Sequence, residues 1–235
     1  MPESEQEKLT YHLAELRKTI LSIIICLIIL FPLGYLVAPY CIDFLIKWSF
    51  SGKELSLNFF TPMEVFLVNL KTAFVIAFIF GFPYIIYKIW KFLLPALYDK
   101  EKNFLKTAVL CSGFLFILGA AICIGFVLPL IIKFSISFMT DNIKPILGIS
   151  NFIGLAGWLI LVFGLMFQFP IAIYFLVKFG IVPVETLKEK RPYVIVILLF
   201  MAALVTPPDV VSQLLLFIPT YLLFEAGLFF SSFNN

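Results

Sequence analysis

The chain has 235 residues, of which 62% are hydrophobic, 17% aromatic and 13% charged, with a net charge of +3 and a mean hydropathy of +1.08. A soluble domain carries roughly 25% charged residues, and no soluble fold has the interior to hide this much apolar surface, so a soluble enzyme is excluded. The apolar runs are long and unbroken, unlike the alternating segments of about ten residues in a closed barrel, and no basic patch supports nucleic-acid binding; what remains is an all-α integral membrane protein.

In chain order, the leader mixes Glu3, Glu5, Glu7 and Glu15 with Lys8, Arg17 and Lys18. The apolar stretch after it is longer than the core of a signal peptide and has no A-x-A site, so it is expected to stay as a helix. Thr10 to Arg17, with His12, Leu13 and Leu16, makes an amphipathic turn leading into that helix and sets Glu15 on the membrane rim. A hydrocarbon core of about 30 Å takes roughly 20 apolar residues per helix, which predicts full spans near 19–40, 65–90, 104–132 and 152–177.

Between these spans, residues 41–64 and 133–151 are rich in Phe, Ile and Leu and are expected to cap one face of the membrane. Glu64 follows Thr61-Pro62 and faces the same side as Lys71, two helical turns on, which reads as a helix cap with a partial ion pair. After the second span, Phe92, Pro95, Tyr98 and Glu101 form an aromatic and acidic set amid lysines. In the fourth, Gln168 stands two residues before Pro170, which bends the helix and frees a backbone carbonyl. The amide serves either a neighbouring helix or a partner inserted against the bundle.

Two shorter runs close the chain, Pro192 to Pro208 and Val210 to Phe224, and predict a short helical hairpin turning at Thr206-Pro207-Pro208-Asp209. Asp209 is placed to cap the sixth helix, with Gln213 one turn further along the same face and Glu225 at the end of the run. The plan is therefore six transmembrane helices in one domain, residues 1–235, without internal repeats.

Lysines and arginines fix the expected orientation. Twelve fall on one side: Lys8, Arg17 and Lys18, then Lys88, Lys91, Lys100, Lys102 and Lys106, then Lys178, Lys188, Lys190 and Arg191. Four fall on the other, Lys47, Lys53, Lys133 and Lys144, and Lys71 lies within a span, so both termini are expected in the cytoplasm. Cys26, Cys41, Cys111 and Cys123 have no CxxC spacing and read as packing residues; with the single His12 they predict no metal site.

On the basic face, Glu15 and Glu101 match a guanidinium by bidentate hydrogen bonds, although each carboxylate equally suits a neighbouring lysine. His12-Leu13-Ala14-Glu15-Leu16-Arg17, the stretch from Phe92 to Glu101 (FLLPALYDKE), and Thr206 to Gln213 (TPPDVVSQ) with Ile218-Pro219 and Phe224-Glu225 stand in an order that resembles the TatC family, the multispanning core of the twin-arginine protein translocase. The resemblance implies a cytoplasmic-membrane receptor for twin-arginine signal peptides of folded cargo, bound through Glu15 and Glu101. Phe92, His12, Leu16, Arg17, Pro95 and Tyr98 would complete that site.

It further implies docking of a single-span TatA or TatB helix on the hairpin, near Ala203, Leu204, Thr206, Asp209, Gln213 and Glu225, with assembly into multimers. Transport would use the proton motive force and no cofactor. Many members have Glu where this chain has Gln168; an amide cannot ionise, so only hydrogen bonding carries over. The competing reading, a secondary transporter of a small solute or ion, needs a charged or broken-helix site at the midplane, where this sequence offers Gln168, with Glu64 and Lys71 nearer a membrane surface.

Overall fold

A computed structural model describes residues 2–50, 57–93, 102–137, 147–206 and 210–233. The chain enters through α1 (Pro2–Ser49), a helix of 48 residues and about 72 Å. α2 (Pro62–Leu93) returns along it, and α3 (Lys102–Ile122) passes through a π-helical turn (Cys123–Val127) into α4 (Leu128–Ser137). α5 (Ile149–Met166) and α6 (Phe169–Lys178) form one broken span, followed by the short α7 (Val184–Glu189), α8 (Arg191–Val205) and α9 (Val210–Phe233). Between the helices, β1 (Leu57–Asn58) and β2 (Leu147–Gly148) pair in parallel, Leu57 opposite Leu147 and Asn58 opposite Gly148.

Among the described residues, five helical stretches are long and apolar enough to cross a bilayer: Leu13–Ser49, Pro62–Phe92, Lys106–Ser137, Ile149–Lys178 and Val210–Ser232. α8, with 15 residues, is about 22 Å long and falls short of the usual span. Two sequence expectations are corrected. Residues 41–49 continue α1 and residues 133–137 continue α4 as helix, so neither stretch joins a capping loop. Of the final pair only α8 is short, because α9 does not stop at Phe224 but runs 24 residues to Phe233. Its passage through Glu225 depends on a distant countercharge, Arg191.

In a bilayer, helices associate where small residues let backbones approach. A Cβ on Gly34 of α1 would lie 2.5 Å from the Ala73 carbonyl oxygen of α2, so these two helices touch backbone to backbone. α3 and α5 meet in the same way at Gly119, where a Cβ would stand 2.7 Å from the Phe163 carbonyl oxygen. Around that crossing lies the main core, which includes Phe163, Cys123, Leu128, Leu159 and Leu216. The buried Phe116 stacks on Phe82 with ring centroids 3.9 Å apart.

A second cluster, with Ile42, Phe50, Val68 and Phe152, closes the end where β1 and β2 pair. Ile173, Phe224 and Leu228 seal α9 against α6.

The π turn has a local cause. Pro129 has no N–H to give and its ring clashes with the carbonyl four residues back, that of Gly125. The turn widens so that the Leu128 N–H bonds the Cys123 carbonyl, which leaves the Ile124 carbonyl without its usual helical donor. The Trp48 indole N–H fills that place at 3.1 Å, tying the end of α1 to the bulge.

Candidate functional site

The polar groups gather at the two ends of the bundle, at mid-bundle and on the final pair of helices. At the basic end, α1 and α2 run antiparallel and are joined by a hydrogen bond between Ser22 Oγ and Tyr84 Oη at 2.5 Å. Lys88 Nζ sits 5.3 Å from the centre of the Tyr84 ring. One helical turn further out the register brings Lys18 beside Lys88, and the next step sets Glu15 level with Lys91 and Phe92.

Glu15 is half-buried, while Leu16 and Arg17 are exposed. Phe92, expected in the loop, belongs to the last turn of α2 and is half-buried. His12 lies on α1, but its side chain is outside the described residues, as are Pro95, Tyr98 and Glu101 altogether.

At the same end, Trp90 of α2 packs on Phe175 of α6 with centroids 3.8 Å apart. Glu225 is held there by two groups. Arg191 Nη2 approaches its Oε2 at 2.8 Å, and the Tyr221 hydroxyl donates to Oε1 at 2.9 Å. Lys188 Nζ reaches Ser232 Oγ at 3.3 Å. This cluster joins the start of α8 to α9 and was not foreseen as a unit. The available signal was that an acid inside an apolar run needs a countercharge, and Arg191 heads the preceding run.

Mid-bundle, Gln168 occupies the break between α5 and α6, and its Nε2 donates to the Ser112 carbonyl of α3 at 3.0 Å. The amide thus serves a neighbouring helix. Among the described residues, neither its Oε1 nor the Ser112 hydroxyl, both buried, has a hydrogen-bond partner.

At the opposite end, Glu64 accepts from the Phe60 N–H at 2.7 Å and from the Ser150 N–H at 3.1 Å. Its carboxylate therefore joins the N-termini of α2 and α5, where the positive ends of two helix dipoles favour it. Lys71 makes its hydrogen bond to Ser150 Oγ at 3.3 Å, so the expected Glu64–Lys71 pair is mediated by Ser150.

On the hairpin, Ala203 and Leu204 are exposed, Leu204 to 67%. Thr206 is buried and its hydroxyl donates to the Ala202 carbonyl at 2.8 Å, while Gln213 Nε2 donates to the Leu199 carbonyl at 3.0 Å. Both polar side chains are thus turned to their own hairpin; Asp209 is outside the described residues.

The fold and these sites define a multi-pass helical membrane protein. The family model for the Sec-independent protein translocase protein (TatC) matches residues 11–219. Similar relatives include the Sec-independent protein translocase protein TatC of Haemophilus influenzae, 36% identical over 97% of this chain and 90% of its own, and that of Escherichia coli K12, 35% identical over 99% and 91%. A crystal structure described as the twin-arginine translocase receptor TatC superimposes with a TM-score of 0.86 at 33% identity, covering 94% of this chain and 99% of that one. The chain belongs to the TatC family of Sec-independent protein translocases. It is a transport protein and not an enzyme, and the small-solute transporter alternative gives way to protein translocation.

Proposed function

We propose that the chain is the receptor subunit of a twin-arginine translocase in the inner membrane, with both termini cytoplasmic, and that it captures signal peptides at the basic end of α1 and α2. The observation that carries this reading is the α1–α2 register. Counted two turns outward from the Ser22–Tyr84 bond, it puts the half-buried residue Glu15 at the level of the half-buried Phe92, at the end where lysines and arginines concentrate. A guanidinium presents a planar fork of donors that a carboxylate accepts in bidentate fashion, and Glu101, eight residues beyond the last residue of α2, supplies the second acceptor. The family resemblance adds Leu16, Pro95, Tyr98, His12 and Arg17 to the residues of this site.

TatA or TatB helices dock on the exposed face of α8 around Ala203 and Leu204, and the assembled complex moves folded cargo with the proton motive force. Gln168 takes no part in proton transfer.

The test is capture of a synthetic twin-arginine peptide by the purified chain, set against the same peptide with both arginines changed to lysine. The arginine peptide binds and the lysine peptide is at least about tenfold weaker, since lysine keeps the charge but gives up the bidentate fork, and a hydrogen bond to a charged group is worth about 1.5 kcal/mol or more. Glu15→Lys and Glu101→Lys each abolish capture. Native affinity after both changes would overturn the site.

A further inference from the structure

We infer that the cleft between α1 and α2 at the basic end holds the phosphate of an anionic phospholipid. The cleft has a volume of about 510 Å³ and three cations on its walls, Arg17 and Lys18 from α1 and Lys88 from α2. Ser22, hydrogen-bonded to Tyr84, sits between them. Among the described residues none of the three cations is in an ion pair with a carboxylate.

Three like charges around one small cleft repel each other unless an anion joins them. Arg17 offers a planar fork and the lysines offer point charges, a donor set suited to phosphate. Arg17 borders both this cleft and the proposed peptide site, but the lipid assignment uses the cations and neither Glu15 nor Glu101, so it does not rest on the peptide-binding reading.

The shape selects a lipid over a free anion. The floor of the cleft is Leu21 and Ile25, exposed to 48% and 55%, and the apolar face continues down α1 through Ile28 and Ile29, both more than 60% exposed. A headgroup phosphate bound among the cations would therefore lay its acyl chains along a hydrocarbon stripe. The place also suits the ligand: basic pockets between transmembrane helices at the cytoplasmic surface are where anionic headgroups bind.

Native mass spectrometry of the full-length chain, released from micelles supplemented with phosphatidylglycerol or phosphatidylcholine, tests this. Phosphatidylglycerol is retained in preference to phosphatidylcholine. The double variant Lys18→Gln with Lys88→Gln weakens retention roughly thirty-fold, the effect of removing two interfacial cations. Lys18→Arg with Lys88→Arg keeps retention, and Lys133→Gln, at the opposite end, leaves it unchanged. If the double glutamine variant fails to fold, the single changes replace it, each with a roughly fivefold loss. Equal retention of the two lipids, undiminished retention by the glutamine variants, or displacement by millimolar inorganic phosphate would each overturn the assignment.

Discussion

Glu225 stands among Phe224, Ala226 and Gly227 on a membrane helix, a setting in which a lone carboxylate is expensive. Arg191, 34 residues earlier in the chain, offsets that cost with a contact of 2.8 Å, and the Tyr221 hydroxyl takes the other oxygen. The pair is partly exposed, with side chains 42% and 30% accessible, so it is worth less than a buried pair and more than a surface one. Glu225→Leu alone, leaving Arg191 uncompensated, is expected to lower stability by about 1–2 kcal/mol. The double variant Arg191→Leu with Glu225→Leu is expected to recover most of that loss. Thermal unfolding in detergent decides between them, and a double variant no more stable than the single one contradicts the compensation. In the sequence, Glu225 looks like the end of an apolar run because its partner is remote. Local hydropathy sees the charge and not the neutralisation.

At the scale of elements, hydropathy alone located the long helices, since the bilayer imposes both their length and their apolar character. It misplaced ends where other forces act. Residues 41–49 extend α1 because Ile42 and Leu45 are buried against the rest of the bundle, a tertiary contact without a local signature. The π turn before Pro129 was equally hidden; a proline in a helical run announces a disturbance but not which carbonyl is released or that Trp48 takes it.

On the final pair of helices, Thr206 and Gln213, expected to face a docked partner, bond inward to Ala202 and Leu199. Its apolar face is what stays open: Tyr193, Val196, Phe200 and Leu204 recur along one side of α8, each more than 60% exposed. Disulfide crosslinking of Leu204→Cys to a cysteine on the TatA or TatB helix is expected to be efficient, and that of Gln213→Cys weak. Crosslinks confined to α1 would remove α8 from the interface.

For the whole molecule, the expected topology follows from the unequal distribution of Lys and Arg. In a chain with Cys26, Cys41, Cys111 and Cys123 replaced by serine, Lys133→Cys is expected to react with a membrane-impermeant maleimide in intact cells. Lys188→Cys is expected to react only after permeabilisation. The reverse pattern would invert the topology and move the peptide site to the outer face. Of the proposed site, the position of Glu15 on the helix leading into the first span was legible from local pattern, whereas Phe92, expected in the loop, falls in the last turn of α2. Glu101 lies outside the described residues, and for 94–101 the sequence supplies residue types without geometry.

The chain's three tryptophans are spread along the membrane normal. Trp48 is tied to the π turn near one surface, and Trp90 lies on Phe175 near the other. Trp158 stands midway along α5, 52% exposed. The indoles thus form an intrinsic optical depth gauge. Brominated acyl chains of graded position quench each of them differently, so the seating of the bundle in its bilayer can be read from its own fluorescence without an attached dye.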